Sequence, residues 1–169
     1  MSWFDRARAA AALLVALGLG GCFQPLYSEA VHPGLVEDLR AVEVAPIKDR
    51  IGHYLNDDLI SNLNGSGETP AAKYRLTVTV AQQSQTPTVE SQINAATSAT
   101  VIGKATFTLI KIDDGAVIYK GDATSAAVYD RTLDSFANLR AARDAEIRLA
   151  RSLADEIGLR VAAALGAKS

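Results

Sequence analysis

Residues 99–130 read ATVIGKATFTLIKIDDGAVIYKGDATSAAVYD. In the first half, Ala105, Phe107 and Leu109 alternate with Thr106 and Thr108, the period of a strand with one buried face. Asp113-Asp114-Gly115 then reads as a hairpin turn. The stretch from Ala116 is therefore its antiparallel partner. Just upstream, KYRLTVTVAQQ at 73–83 alternates in the same way, with Tyr74, Leu76, Val78 and Val80 on one side and Arg75, Thr77 and Thr79 on the other. Three consecutive strands joined like this form a meander. Between the first two lies a polar stretch, Gln82 to Thr100, that extends the strands outward or makes a hairpin tip.

Helical periods flank the meander. Ile51, Tyr54, Leu55, Leu59 and Leu63 predict a helix over 51–63, with Asp49 as N-cap and Asn64-Gly65 as its stop. Leu149, Leu153, Ile157, Val161 and Leu165 recur every four residues in a long helix over 133–165, capped by Asp134 or Ser135. Before the first helix, Leu39, Val42, Val44 and Ile47 beside Pro46 predict a strand ending near Ala45. The order is β-α-β-β-β-α. The simplest such α+β fold is a two-layer sandwich: a four-stranded, mainly antiparallel sheet with two helices on one face.

The N-terminus has a different character. Arg6 and Arg8 precede an apolar run from Ala9 to Leu19, and Gly20 and Gly21 stand directly before Cys22. Positive charge, a short apolar stretch and small residues are the layout of a secretory signal peptide over 1–21. Leu19-Gly20-Gly21-Cys22 resembles the bacterial lipobox, in which the cysteine thiol takes a diacylglyceryl group and becomes the first residue after cleavage. Several acyl chains give a stable anchor where one would not. Residues 22–38, with Pro25, Pro33 and Gly34, then read as a tether, and 39–169 as the folded domain. Phe23, not aspartate, follows the cysteine, which favours the outer membrane.

Composition narrows the function. The formal net charge is −2 with no basic stripe for a phosphate backbone, so nucleic acid is not expected as a partner. One cysteine permits neither an internal disulfide nor a multi-cysteine metal site, and His32 and His53 lack metal-ligand context. No metal or cofactor site is therefore expected. No nucleophile elbow or P-loop motif occurs, and Asp57-Asp58 point apart on a helix, so no enzyme is expected either. Arg75 lies on the threonine-rich sheet face. Lys104, Lys111 and Lys120 sit on or beside the strands, where they either meet an anionic ligand or discourage strand pairing.

Several stretches resemble one family, the lipopolysaccharide-assembly lipoproteins LptE of alphaproteobacterial type. GCFQPLY at 21–27 resembles the family's G-C-G-F-x-P-L-Y opening, without the glycine between Cys22 and Phe23. VEVAPIKDRIGHYLNDDLISNL at 42–63 is similar to its strand followed by I-x-x-R-x-G-x-x-L-x-N-x-L. KYRLTVTV at 73–80 resembles its Y-x-L-x-V strand, and RDAEIRLARSLADEIGLRVAAAL at 143–165 its closing helix. The resemblance implies an outer-membrane lipoprotein that plugs the LptD β-barrel, helps it assemble and serves lipopolysaccharide insertion. It also implies contact with lipopolysaccharide through basic residues, for which Arg75, Lys104, Lys111 and Lys120 are the candidates. The other reading is an auxiliary lipoprotein of an ABC-type lipid transport system, like PqiC.

Overall fold

The computed structural model describes residues 34–65, 70–86 and 98–167. Helix α1 (Leu35–Arg40) leads into strand β1 (Val42–Val44), followed by helix α2 (Arg50–Asn64). Strands β2 (Tyr74–Gln85), β3 (Ser98–Lys111) and β4 (Val117–Asp130) form the meander, and helix α3 (Ser135–Gly166) closes the chain. The sheet order is β1-β2-β3-β4. β1 runs parallel to β2, pairing Val42 with Tyr74 and Val44 with Leu76, while β2–β3 and β3–β4 are antiparallel. The sheet is thus mixed rather than wholly antiparallel, because α2 carries the chain back over it between β1 and β2.

Parity along the strands decides what is buried. Leu76 and Val78 on β2, Val101, Ala105, Phe107 and Leu109 on β3, and Ala123 and Ala127 on β4 all face the helices and are buried. Against them lie Ile51, Leu55, Leu59 and Leu63 of α2 and the predicted α3 line from Leu149 to Leu165. Gly103 lets α3 approach closely: a Cβ there would stand 3.0 Å from Leu149 Cδ2 and 3.2 Å from Leu153 Cδ1. Gly115 takes φ 68° in the Asp113–Gly115 turn, where Asp114 Oδ1 accepts from Ala116 N at 3.0 Å.

Three details differ from the sequence reading. Leu39 belongs to α1, not to a strand, and residues 35–38, read as tether, are helical, with Leu35 and Leu39 buried in the core. The helical layer therefore has three members. Lys73 fastens α1 to the start of β2 through Asp38 at 3.0 Å. Asp49 occupies the N-cap position of α2 but makes no capping bond; its φ is 70°. Asp134 does cap α3, accepting from Phe136 N at 2.8 Å and Ala137 N at 3.2 Å. β2 reaches Gln85 and β3 begins at Ser98, so both ends of the polar stretch are strand; residues 87–97 lie outside the described residues.

Candidate functional site

Helices α2 and α3 pack on one face of the sheet with α1 against them, and among the described residues no helix or strand packs on the other face, which is bare in that sense. Register places its residues in rows. Thr77, Thr108 and Lys120 form one row; Thr79, Thr106 and Asp122 the next; Ala81, Lys104 and Thr124 the third. Thr77, Thr79, Thr106 and Thr124 are exposed and Thr108 is half-buried. Such β-branched hydroxyl residues suit a pleated surface that is wet or touches a polar partner.

A small charged cluster sits within this face. Thr106 Oγ1 donates to Asp122 Oδ1 at 2.7 Å. That bond holds the Asp122 carboxyl below its ordinary value, and the charges of Lys104, Lys120 and Arg160 act in the same direction. Asp122 therefore stays ionised between two lysines, and the Lys104–Asp122–Lys120 trio has one positive charge in excess. Farther along the same face, Arg75 is engaged: its Nη2 lies 3.1 Å from Glu43 Oε2 across the β1–β2 pair.

The structure brings three of the four sequence candidates, Arg75, Lys104 and Lys120, onto one face. Lys111 is not with them. It has odd parity on β3, pairs with Tyr74 at the turn end, and its Nζ lies 3.7 Å from Asp113 Oδ2. Parity carried that signal already, since Lys104 is even and Lys111 odd. Cys22 lies outside the described residues. His53 is exposed and pairs with Asp57, one turn on, at 3.5 Å. Among the described residues no group of three or more His, Cys, Asp or Glu stands together, and no helix is long and apolar enough to cross a membrane.

Two features escaped the sequence reading. The first is a polar knot under the helices. Arg50 at the start of α2 donates to both oxygens of Glu146 on α3, Nε at 2.9 Å and Nη2 at 2.7 Å, and Gln82 of β2 adds a third bond at 3.1 Å. The second is the bare start of α3. Leu133, just before α3, is 93% exposed, and Phe136 in its first turn is 67% exposed. Beside β1, an open cleft of about 360 Å³ runs between Pro46–Asp49 and Thr77–Val80 of β2.

Comparison with known proteins agrees with this architecture. A solved lipoprotein from Caulobacter crescentus CB15 is similar over 78% of this chain and 96% of its own, at 23% identity and a TM-score of 0.64. The rare lipoprotein B from Shewanella oneidensis is similar over 72% of this chain and 93% of its own, at 12% identity and a TM-score of 0.53. A minor lipoprotein from Acinetobacter baumannii is similar over 72% and 88%, at 19% identity and 0.51. At these identities the likeness is one of fold. None of the curated proteins matches the sequence. The family model for LptE, lipopolysaccharide-assembly, matches residues 39–161, which spans the domain from α1 to the last turns of α3. With that match over most of its length, the chain belongs to the LptE family of lipopolysaccharide-assembly lipoproteins.

Proposed function

We propose that this chain is a non-enzymatic outer-membrane lipoprotein, held on the periplasmic side by acyl chains on Cys22, that plugs the lumen of the LptD β-barrel. In this role it helps the barrel assemble and completes the translocon that inserts lipopolysaccharide into the outer leaflet. The observation that carries the reading is the bare sheet face, in a chain of this family, with its rows of threonine around an ionised Lys–Asp–Lys cluster. Barrels of large size have polar lumens. A polar, hydroxyl-rich face matches such a wall without needing an apolar seal. Arg75, Lys104 and Lys120 on this face are the basic residues for lipopolysaccharide; Lys111 stands apart from them.

Solubilised outer membrane, captured through this chain and analysed by mass spectrometry, should yield a large β-barrel protein. Thr79→Glu with Thr106→Glu should lower that recovery at least tenfold while the chain keeps its native circular dichroism. Isolation as a lone chain in mild detergent would overturn the proposal. Recovery of a permease and its ATPase instead would point to the auxiliary role in an ABC-type system.

A further inference from the structure

A sheet ends in edges, and an edge strand offers unpaired N–H and C=O groups to any other strand. One edge here is blunt: β1 is three residues long and is followed closely by Pro46. The other is β4, fourteen residues without a proline. Alternate residues of an antiparallel edge strand turn both their N–H and C=O outward. Asp122 and Val128 have the same parity, and both carbonyls are occupied from outside the sheet. Arg160 Nη1 donates to Asp122 O, and Arg148 Nη2 donates to Val128 O at 2.9 Å.

The geometry behind these two bonds is matched. Twelve residues of helix rise about 18 Å, and six residues of strand about 20 Å, so two arginines at that spacing reach two carbonyls at this one. Each arginine is aimed by an acid one turn earlier. Arg148 Nε bonds Asp144 Oδ2 at 2.8 Å, and Arg160 Nη2 bonds Glu156 Oε1. Between them, Ser125 Oγ donates to Ser152 Oγ at 2.8 Å, holding the middle of β4 under α3.

The edge so covered is complementary to itself. Two β4 strands laid antiparallel about Ser125 would set Asp122 against Val128, Thr124 against Ala126 and Ala123 against Ala127. Lys120 would face Asp130 twice, and no like charges would meet across the pair. The outward groups of Asp122, Thr124, Ala126 and Val128 would form the ladder, and the arginines hold the first and the last of them. We propose that Arg148 and Arg160 are edge guards, which occupy the carbonyls that a second copy of this chain needs for β4-to-β4 pairing. They keep the chain single despite a long, self-complementary edge.

Sedimentation of the full chain in density-matched detergent tests this. The unaltered chain should be monomeric. Arg148→Met with Arg160→Met keeps the apolar stems and removes the donors, and should tighten self-association at least tenfold. Adding Thr124→Pro to that pair removes an outward N–H of the ladder and should restore the monomer. A doubly altered chain that folds and stays monomeric overturns the proposal, as does a dimer that survives Thr124→Pro. If the arginine variants fail to fold, Asp144→Asn with Glu156→Gln loosens the guards in place. That chain should shift towards dimer in the same direction, and a strict monomer there also overturns the proposal.

Discussion

Glu146 is a carboxylate in an apolar helix face, its side chain only 10% exposed. Burial alone would push its pKa up. The hydrogen bonds from Arg50 and Gln82, with the charges of Arg50 and Arg143, more than offset that and hold it below its ordinary value of 4.5. A lowered folded-state pKa contributes stability that is complete above the ordinary value and is lost as pH falls through the lowered one. Glu146→Gln should therefore cost about 1–3 kcal/mol at neutral pH, with Arg50 left short of its partner. It should also flatten the acid limb of stability, both read by urea unfolding across pH 3–7. Gly52 is constrained by contact alone: a Cβ would stand 2.8 Å from Ile47 Cγ2 and 3.0 Å from the Ile47 carbonyl carbon and oxygen. Because backbone sits there, Gly52→Ala should destabilise by about 1–3 kcal/mol, measured as a lower denaturation midpoint. Ile47, Arg50 and Gly52, three positions of one stretch that resembles the family pattern, thus have structural duties in positioning α2.

At the scale of elements, α3 behaves as two segments under one hydrogen-bonded ladder. From Ala145 onward its apolar line is fully covered, with Leu149, Leu153, Ile157 and Val161 all at 0% exposure. Before that, Phe136 and Leu139 stand in solvent at 67% and 61%. Leu153→Ala should cost about 2–5 kcal/mol through the cavity it leaves between α3 and β3. Phe136→Ser with Leu139→Ser should change stability by less than about 0.5 kcal/mol each; thermal melts of the two chains would show the contrast. The helical period could announce both segments and could not tell them apart, because periodicity marks an apolar side and not whether anything lies against it. Strand parity was more informative. It separated Leu76 and Val78 from Thr77 and Thr79 correctly, and Phe107 from Thr106; that Lys104 and Lys120 share the threonine face came only with the register. α1 went unread because Pro33-Gly34 punctuates the chain just before it, although Leu35 and Leu39 have helical spacing. The Arg50–Glu146 knot joins residues 96 apart in sequence, a distance over which no local pattern can pair them.

The described domain keeps its core on one side of the sheet, so docking on the opposite side would require no repacking within. The helix-bearing layer, the meander and their order were legible because each rests on repeated local signals. The rows of the bare face became definite only once register was fixed, since a shift of one residue would exchange Thr106 with Phe107. The way the chain enters this structure has a mechanical consequence. Gly34 leads into a six-residue helix and then a three-residue strand, while the meander beyond is sewn by long ladders. Tension applied at Gly34 loads α1 and β1 first, and they hold the least. Their release would free about ten residues, which extended span at most roughly 35 Å, less the distance they already cover in the fold, before the meander felt any strain. In a single-molecule pull between Gly34 and the C-terminus, a small low-force step shorter than that extended length should precede the main rupture. The entry segment then works as a fuse for any load applied at its N-terminal end.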